Sequence, residues 1–474
     1  MQPRQWQQQL VQLLRRRLDP EASHGRDVLI HAGPGAGKTL GALLGFQAMQ
    51  QEGKLKCFLV MCHRTSILSQ WRSSAERLGL RLEDWSESSA QLQSQNTHSQ
   101  NIQNADGWIV TYQGAASQLQ GLKQALESWA GDELLAIADE AHHLGVDPDE
   151  PDGPVWGRTF LELSSQARLR LGLTGTPFRA DNLAFCAARR IRIQEGGQLV
   201  EQISPDLCVE PRELIAAGDV RPLEFRFQDG WVEHSREGKP DRDVSPLSEE
   251  VRESWRARNL RRAIRLSDSS SIAQQLLIRA RRKLEQVREQ HPGAGGLVIA
   301  KDIAHARSIS TLLREQGDRV DLVHSQDPEA AVRLSNFQEG GADWLVSIDM
   351  CAEGFDAPRL RVVAYLTTVV TRSRFVQGIT RAVRMCNIRA ATETVPRDPS
   401  YVFAPADPLL MSYARSWSLS EPYRIQAQPQ EVDADDPLQS GAWRGPSLPL
   451  EAVNDGAGAV IRLRTPELPN FLHQ

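Results

Sequence analysis

The sequence lacks the marks of membrane, secreted and metal-centred proteins. No apolar run approaches the roughly 20 residues that a membrane-spanning helix requires, and the start, MQPRQWQQQL, lacks the apolar core of a secretory signal. The six cysteines are scattered, with no CxxC pair and no zinc-ligand spacing, which favours reduced, mostly buried thiols. We therefore expect a cytoplasmic protein that makes no contact with a membrane.

An excess of positive charge is also missing. The formal net charge is -5, so the molecule as a whole is not a basic coat for nucleic acid. A local basic cleft is still compatible with this value, because attraction depends on where charges lie and not on their sum. Arginines are concentrated in one region, at Arg359, Arg361, Arg372, Arg374, Arg381, Arg384 and Arg389, whereas the C-terminal part is acidic and proline-rich.

The length of 474 residues exceeds what one ordinary core supports, and short apolar runs alternate with helical patterns from Asp27 onward. The first half contains the predicted strands DVLIHAG, LKCFLVMC, GWIVTYQ, ELLAIADE and LRLGLTGT, and the second half contains GLVIA, RVDLVHS, DWLVSID and RVVAYLT. We predict an α/β fold with two parallel-sheet lobes (1–205 and 271–410), a charged linker or small insert with a basic helix (206–270), and a loosely structured tail (411–474).

The stretch HAGPGAGKTL follows the first predicted strand and opens a helical pattern. A phosphate-binding loop needs glycines whose N–H groups turn inward, a lysine for the terminal phosphates and a hydroxyl for Mg²⁺. The stretch supplies them at Gly33, Gly35, Gly37, Lys38 and Thr39. Ala32 stands where the strict pattern GxxxxGKT has glycine. A nucleotide site is predicted here, and a glycine-rich turn without a ligand is the alternative.

Two carboxylates end another predicted strand of the same lobe, since ELLAIADE finishes with Asp139 and Glu140. Ligands of a doubly wound sheet bind at the carboxyl ends of its strands, so both acids should lie at the edge that carries the loop. We expect Asp139 to hold Mg²⁺ through water and Glu140 to orient and deprotonate the attacking water. A strand-end turn with no chemistry is the alternative interpretation.

The DEAH stretch at 139–142, with GKT upstream and LTGTPFR (Leu173 to Arg179) downstream, resembles the superfamily 2 helicases and translocases. SIDMCAEGFDAP and RFVQGITRAVR resemble the late motifs of the same family, and the likeness extends over roughly residues 3–405. TYQ and DEAHH resemble most the branch of restriction-type and excision-repair-type helicases. The resemblance implies two RecA-like lobes, ATP and Mg²⁺ as cofactors, and ATP hydrolysis coupled to movement on nucleic acid.

The resemblance also implies roles for further residues of the first lobe. Gln7 in PRQWQQ is expected to contact adenine, with a plain helix start as the alternative. His142 is expected to link the ATP site to the motif TGT through Thr174 and Thr176, although a metal ligand is another use of such a histidine. Contacts to the nucleic acid, or plain loops, are expected at Arg64, Thr65, Thr111 and Gln113. His63 takes the position that is usually proline in CHRTSILSQW.

In the second lobe, three residues of QGITRAVR are four and three positions apart, which predicts one shared helical face for Gln377, Arg381 and Arg384. The resemblance implies that the two arginines reach the γ-phosphate across a cleft, and a solvated basic helix is the alternative. Thr380 replaces the family's usual glycine. Gly354 and Asp356 of EGFDAP are expected beside the cleft, where they would sense the nucleotide.

These features together predict a nucleic-acid-dependent ATPase whose ATP site is complete only when the two lobes close. DNA is favoured over RNA, and binding through phosphates should depend strongly on salt. Three alternatives stay open: a motor subunit of a restriction or phage-defence complex, whose protein partner supplies the nuclease or the targeting; an ATP-switched clamp that does not unwind; and an RNA helicase. No nuclease constellation is recognisable in the sequence.

Overall fold

The computed structural model describes residues 3–19, 25–85, 104–129, 133–144, 153–175, 189–195, 198–235, 242–250, 253–266, 271–348, 355, 357–419 and 460–463. The chain divides into two compact units, whose main parts are Met1–Pro211 and Arg212–Glu421. None of the helices in the described ranges combines the length and the apolar composition that crossing a membrane requires.

The first unit is built on a parallel sheet. Its strands within the described ranges are β1 (Asp27–Ala32), β2 (Cys57–Cys62), β3 (Leu82–Asp84), β4 (Gly107–Thr111), β5 (Leu134–Asp139) and β6 (Leu169–Thr174), followed by the antiparallel pair β7 (Arg189–Glu195) and β8 (Gln198–Ser204), and by β9 (Leu207–Val209). The helices are α1 (Gln5–Arg17), α2 (Lys38–Gln51), α3 (Thr65–Glu76), α4 (Tyr112–Ser117), α5 (Leu119–Trp129) and α6 (Gly153–Leu163). The parallel strands lie in the order β3-β4-β2-β5-β6-β1-β9.

Continuous apolar sequence explains the central strands of this sheet. Every residue of β2, β5 and β6 is buried, as expected for a parallel sheet that is covered on both faces. The five strands that the sequence predicted for the first half are confirmed. The three-residue strands β3 and β9 were not predicted, and β9 extends the sheet past residue 205 by pairing with β1 from Ile30↔Leu207 to Ala32↔Val209.

The first helix packs against α2, the helix that follows the glycine-rich loop. A Cβ atom on Gly41 would lie 2.6 Å from Cη2 of Trp6, and one on Gly45 would lie 2.6 Å from Cδ1 of Leu14. Trp6 and Leu14 are buried in this contact. The two glycines, one helical turn apart, therefore form the groove in α2 that α1 fills.

The second unit contains another parallel sheet. Its strands within the described ranges are β10 (Leu223–Gln228), β11 (Gly230–Ser235), β12 (Arg242–Pro246), β13 (Gly295–Ala300), β14 (Val320–Val323), β15 (Trp344–Ile348), β16 (Leu360–Leu366), β17 (Ser400–Pro405) and β18 (Val460–Leu463). The helices are α7 (Pro211–Ala216), which begins at the division between the units, α8 (Glu253–Ala263), α9 (Ile272–Gln290), α10 (Ile303–Glu315), α11 (Ala330–Glu339), α12 (Arg372–Ile379), α13 (Asn387–Thr392) and α14 (Pro408–Leu419). The parallel order is β10-β17-β16-β13-β15-β14, and β12-β11-β18 form a small sheet, antiparallel throughout.

The four strands predicted for the second half are confirmed, whereas β10 and β17 were not predicted. β10 lies in the segment predicted as a linker, yet it pairs along its whole length with β17, and Phe225 and Phe227 of β10 are buried. In the segment predicted as a loose tail, α14 continues to Leu419 and residues 460–463 pair with β11. The rest of that segment lies outside the described residues.

The groove between α1 and α2 leads to a stability prediction. Alanine normally stabilises a helix interior by about 1 kcal/mol over glycine, but Gly41→Ala should lower the free energy of unfolding by about 1–3 kcal/mol because the new methyl overlaps the Trp6 ring. Urea unfolding followed by circular dichroism measures this change. In a Trp6→Ala background the same substitution should be neutral or stabilising, and an equal loss in both backgrounds would contradict the packing argument.

Candidate nucleotide site

Three neighbouring strands deliver the candidate site to one edge of the first sheet. The strands β5, β6 and β1 lie side by side, with Asp139 opposite Leu173 and His31 opposite Thr174. The glycine-rich loop follows β1, Glu140 follows β5 and Gly175 follows β6. The carboxyl ends of adjacent parallel strands therefore bring these segments together, as the sequence predicted.

The loop between β1 and α2 relies on glycine at two positions. Gly35 and Gly37 have φ angles of 79° and 81°, which residues with a Cβ atom rarely adopt. Ala32, by contrast, is the last residue of β1 and pairs with Val209 in extended conformation. Alanine in place of the glycine of the strict loop pattern is therefore accommodated, because extended strand backbone is allowed for a residue with a Cβ atom.

Lys38 begins α2 and points its ammonium group at the acidic end of β5. Its Nζ lies 3.3 Å from Oε1 of Glu140 and 3.4 Å from the carbonyl oxygen of Ala32. A Cβ atom on Gly175 would lie only 2.6 Å from this Nζ. The glycine of the TGT motif therefore leaves room for the lysine, whose ammonium group would have to move if residue 175 carried a side chain.

The two acids experience opposite environments. Asp139 is buried, with Nε1–H of Trp71 donating to Oδ2 at 2.7 Å and the Glu140 amide donating to Oδ1 at 3.0 Å. Burial, and then the charge of Glu140, raises the pKa of Asp139. Burial acts to raise the pKa of Glu140 too, but the positive charge of Lys38, followed by His142 and His143, outweighs it and holds that pKa below its ordinary value. Two neighbouring carboxyl groups whose pKa values are shifted in opposite directions are suited to different chemical roles.

Glu140 also has an unusual backbone. Its φ of 48° makes it the one non-glycine residue in the described ranges with a left-handed φ angle. Such a conformation is costly for a residue with a Cβ atom and is concentrated at functional sites. The amide of Gly175 lies 3.4 Å from Oε2 of Glu140, so the end of β6 helps to hold the side chain in this position.

His142 joins the acids to the end of β6. Its Nδ1 lies 3.1 Å from Oγ1 of the fully buried Thr174 and 3.5 Å from Oε2 of Glu140. The predicted link between the histidine and the first threonine of TGT is therefore present as a direct contact. Thr176, the second threonine, lies outside the described residues.

The first helix binds the glycine-rich loop through three side chains near its start. Nη1 of Arg4 donates to the carbonyl of Gly35 at 2.6 Å, Nε1 of Trp6 to that of Ala36 at 3.0 Å, and Nε2 of Gln7 to that of Gly37 at 3.1 Å. Sequence reasoning singled out Gln7 alone, although Arg4 and Trp6 lie in the same stretch PRQWQQ.

The side chain of Gln7 is engaged at both ends. Its Oε1 accepts from the Arg4 amide at 2.9 Å, its Nε2 bonds the loop, and the residue is 1% exposed. In this structure Gln7 therefore positions the loop. Its contact with adenine, which the resemblance implied, stays a prediction.

The residues expected to contact nucleic acid differ in their surroundings. Thr65 and Gln113 are exposed, and Arg64, which precedes α3, is half-buried. Oγ1 of Thr111 accepts from the Gly114 amide at 3.0 Å and caps α4. The hydroxyl of Thr111 thus has a structural use, as helix caps commonly do.

The histidine that replaces proline in CHRTSILSQW has a structural partner. The His63 ring stacks on that of His143, with centroids 3.8 Å apart and planes inclined by 14°. His143 is the last residue of DEAHH, so the stack connects the end of β2 to the segment after β5. The same stretch contains Trp71 of α3, which sequence reasoning missed as a partner of Asp139.

In the second unit, the helix that carries QGITRAVR ends earlier than its spacing predicted. α12 stops at Ile379, a 3-10 turn covers Thr380–Val383, and Arg384 has extended backbone with φ of -73° and ψ of 150°. The predicted helical face shared by Gln377, Arg381 and Arg384 is therefore wrong. The Thr380 hydroxyl donates to the carbonyl of Val376 at 2.6 Å, a bond that competes with regular helix geometry.

The two arginines of this segment have different environments. Arg381 is buried and its Nη1 donates to the carbonyl of Phe355 at 2.8 Å, whereas Arg384 and Gln377 are half-buried. Phe355 belongs to the EGFDAP stretch, so this bond joins the two late motifs. Gly354 and Asp356 of that stretch lie outside the described residues.

Part of the arginine-rich region serves structure. Arg359 donates to the carbonyl of Gly293 at 2.7 Å and to that of Ala342 at 2.9 Å, and its guanidinium covers the Phe337 ring. Arg372 donates to Oγ of Ser416 at 2.6 Å. Local arginine density therefore overstates the number of guanidinium groups that are available to a ligand.

Comparison with known families agrees with this geometry. Residues 1–179 match the family described as Type III restriction enzyme, res subunit, and residues 279–386 match the Helicase conserved C-terminal domain. The chain belongs to the superfamily 2 helicases, and the match of its first part relates it to the restriction-type helicases. Helicases of these families use ATP, typically with Mg²⁺.

Curated relatives of this helicase are longer than the chain. An uncharacterized protein of Mycobacterium tuberculosis is 30% identical over 441 residues, which are 92% of this chain and 66% of the relative. One of Mycobacterium leprae is 29% identical over 422 residues, 88% of this chain and 65% of the relative. The helicase thus spans a little under two thirds of the length of these relatives.

Solved structures show the fold of the helicase. A fragment of an HsdR-type subunit of a type I restriction enzyme from Vibrio vulnificus YJ016 has a TM-score of 0.54 at 16% identity, covering 89% of this chain and 67% of that one. The ATP-dependent type ISP restriction-modification enzyme LlaBIII, bound to DNA, has a TM-score of 0.53 at 12% identity, covering 89% and 30%. The α/β prediction with two parallel-sheet, RecA-like lobes is confirmed.

The bond from Trp71 to Asp139 leads to a pH-dependent prediction. Because folding raises the pKa of Asp139, stability is lost as pH rises from the ordinary value through the raised one. Trp71→Phe removes a donor that favours the charged form, so it should raise this pKa further and enlarge the loss. The free energy of unfolding in urea should fall by about 1–3 kcal/mol near pH 8 and by less near pH 5.

The Asp139→Ala background provides the control for this experiment. There the indole has no carboxylate to bond, so Trp71→Phe should cost the same at both pH values. An equal pH dependence with and without Asp139 would rule out the proposed bond as its source.

Proposed function

We propose that this helicase is a nucleic-acid-dependent ATPase that moves along DNA, as a DNA helicase or a double-strand translocase. The observation that carries the proposal is the contact of 3.3 Å between Lys38 and Glu140 beside buried Asp139, at the sheet edge that holds a glycine-rich loop. Phosphate loop, metal-binding acid and ionised base are the groups that ATP hydrolysis requires.

The residues at this edge fit ATP and Mg²⁺ by their chemistry. Thr39 offers a hydroxyl and Asp139 a carboxylate, which are the hard oxygen ligands that Mg²⁺ prefers. Both oxygens of Asp139 already accept a hydrogen bond, which favours its holding the ion through water. When bound, Mg²⁺ neutralises charge on the β- and γ-phosphates. The amides of Gly33, Gly35 and Gly37 are expected to line the phosphates.

Glu140 is proposed to be the general base. Lys38 holds the pKa of Glu140 low, which keeps the carboxylate ionised but makes it a weak base. In our proposal Lys38 leaves Glu140 for the terminal phosphates when ATP binds, and Glu140 then accepts a proton from the attacking water. His142, through Thr174 and Thr176, would report the loss of the γ-phosphate.

The second lobe is proposed to complete the site. Arg381 and Arg384 would stabilise charge on the γ-phosphate, with Gln377, Gly354 and Asp356 nearby, and hydrolysis would let the lobes separate. A strand gripped by both lobes is then moved along. Contacts to its phosphates are expected from Arg64, Thr65 and Gln113, and near the backbone of Thr111.

A second candidate is a motor subunit of a restriction or phage-defence complex. The match of residues 1–179 to a restriction-enzyme subunit family favours it. The nuclease or targeting activity would then come from a protein partner. DNA is favoured in both candidates because LlaBIII, a structural neighbour, is bound to DNA.

ATP turnover, titrated with single-stranded, duplex and forked DNA and with RNA, tests the proposal. Turnover should rise with DNA and disappear in Lys38→Ala, while Glu140→Gln should cut it by ~10²–10⁴ without loss of folding. Stimulation by RNA alone would exclude the DNA track, and retained turnover in Glu140→Gln would exclude its role as base. Strand displacement, measured in parallel, separates unwinding from translocation or clamping. Activity that needs a partner protein would favour the motor-subunit candidate.

The arginines of the second lobe are tested by Arg384→Ala. Stimulated turnover should fall by ~10³ or more while nucleotide binding persists, because the arginine acts on the transition state. Arg384 is the better probe, since Arg381→Ala also breaks the buried bond to Phe355. Exposed Arg282, in α9, provides a matched control in Arg282→Ala. A near-normal rate in Arg384→Ala would remove this residue from the mechanism.

A further inference from the structure

Arg361, near the start of β16, is a buried cation with no ion-pair partner among the described residues. It is 3% exposed, its Nη2 donates to the carbonyl of Pro399 at 3.0 Å, and its Nη1 donates to Nδ1 of His291 at 3.3 Å. Its Nε has no hydrogen-bond partner, and it forms no ion pair within the described part of the chain. Burying a guanidinium without an ion-pair partner costs free energy, and a bound anion would offset this cost.

The neighbouring carboxylates, Glu393 and Asp398, offset the charge of Arg361 only in part. Glu393 accepts hydrogen bonds from both terminal guanidinium nitrogens of Arg221, which is itself 1% exposed, and its Oε2 lies 3.6 Å from Nη1 of Arg389. His291 adds no charge to this group of residues. Burial, followed by the charges of Arg389 and Arg361, lowers its pKa to about 4 and keeps the imidazole neutral. Burial, and then the charge of Arg221, lowers the pKa of Arg361 to about 10, so the guanidinium stays charged.

Arg361 lines a cavity of about 610 Å³ in the second unit. Lys283 of α9 and Arg389 of α13 line it too, and Nζ of Lys283 lies 4.2 Å from the centre of the Tyr401 ring in the same wall. Two carboxylates, Glu393 and Asp398, also face the cavity, but neither pairs with Arg361. Cationic groups in and behind the wall therefore outnumber the carboxylates.

The cavity lies at the sheet edge away from the helicase motifs of this unit. Arg361 and Tyr401 are the second residues of β16 and β17, whose pairing begins at Val362↔Tyr401. The segment with Arg381 and Arg384 follows the opposite, carboxyl end of β16. The cavity is therefore separate from the residues assigned above to ATP.

We propose that this cavity binds a small phosphate-bearing molecule of nucleotide size, with its phosphate on Arg361, Lys283 and Arg389. A guanidinium is well matched to phosphate oxygens, and the ligand would supply the charge that Arg361 lacks. The volume falls within the range of small-ligand pockets and exceeds what one inorganic phosphate fills. The volume beside these cations would hold the remainder of the molecule.

Calorimetric titration of the full chain tests the proposal. The Lys38→Ala variant is used throughout to weaken the phosphate loop, and the probes are inorganic phosphate, pyrophosphate and uridine monophosphate at low salt. Saturable binding with a dissociation constant at or below ~1 mM is expected for at least one probe. Adding Arg361→Met or Lys283→Met should weaken it at least tenfold, whereas adding Arg282→Met, on the same helix outside the cavity, should leave it unchanged.

Several outcomes would overturn the proposal: no saturable binding of any probe, equal binding after Arg361→Met and Lys283→Met, or binding of long single-stranded DNA alone. The fold of Arg361→Met is checked by its thermal unfolding midpoint without probe. Removing a buried uncompensated charge should leave the midpoint unchanged or raise it. A fall of more than about 5 °C would identify Arg361 as structural and count against the proposal. Lys283→Met, a change at a less buried position, provides the independent binding test.

Discussion

The ion pair between Lys38 and Glu140 depends on the order of strands in the first sheet. Lys38 follows β1 and Glu140 follows β5, and the two strands are separated only by β6. The gap at the end of β6 is bridged by Gly175, which has no side chain to block the lysine and whose amide faces the glutamate. Sheet topology, one glycine and one left-handed residue thus set a single electrostatic contact, and the proposed chemistry starts from it.

Burial then assigns different properties to the two acids. Asp139 lies beneath the surface against the indole of Trp71, whereas Glu140 stands in the field of Lys38 and the histidines. Trp71 belongs to α3, and the residues just before and at the start of that helix are Arg64 and Thr65, which we expect to meet nucleic acid. The helix α3 therefore connects the buried carboxylate of Asp139 to the surface proposed to bind nucleic acid. It offers a direct physical connection between the proposed ATP site and the proposed nucleic-acid site.

Local sequence patterns predicted much of this architecture. Apolar runs predicted the central strands, and the glycine, lysine and acid patterns predicted which strand ends would meet. Contacts between segments that are distant in sequence have no such local pattern. The strands β10 and β17 pair although they lie near opposite ends of the second unit's sequence, and Trp71 meets Asp139 only in the folded chain. Spacing failed at Arg381 and Arg384 because the Thr380 hydroxyl competes for a helical carbonyl, and Thr111 shows that a motif residue can also serve as a helix cap.

The hydrogen bonds from the first helix to the glycine-rich loop determine the direction in which the backbone N–H groups of the loop point. A peptide unit is planar and trans, so its C=O and the following N–H point to opposite sides. Trp6 and Gln7 fix the carbonyls of Ala36 and Gly37 toward α1, and the amides of Gly37 and Lys38 must then face away from that helix. An element remote in sequence therefore presets the orientation of the anion-binding amides before any nucleotide arrives.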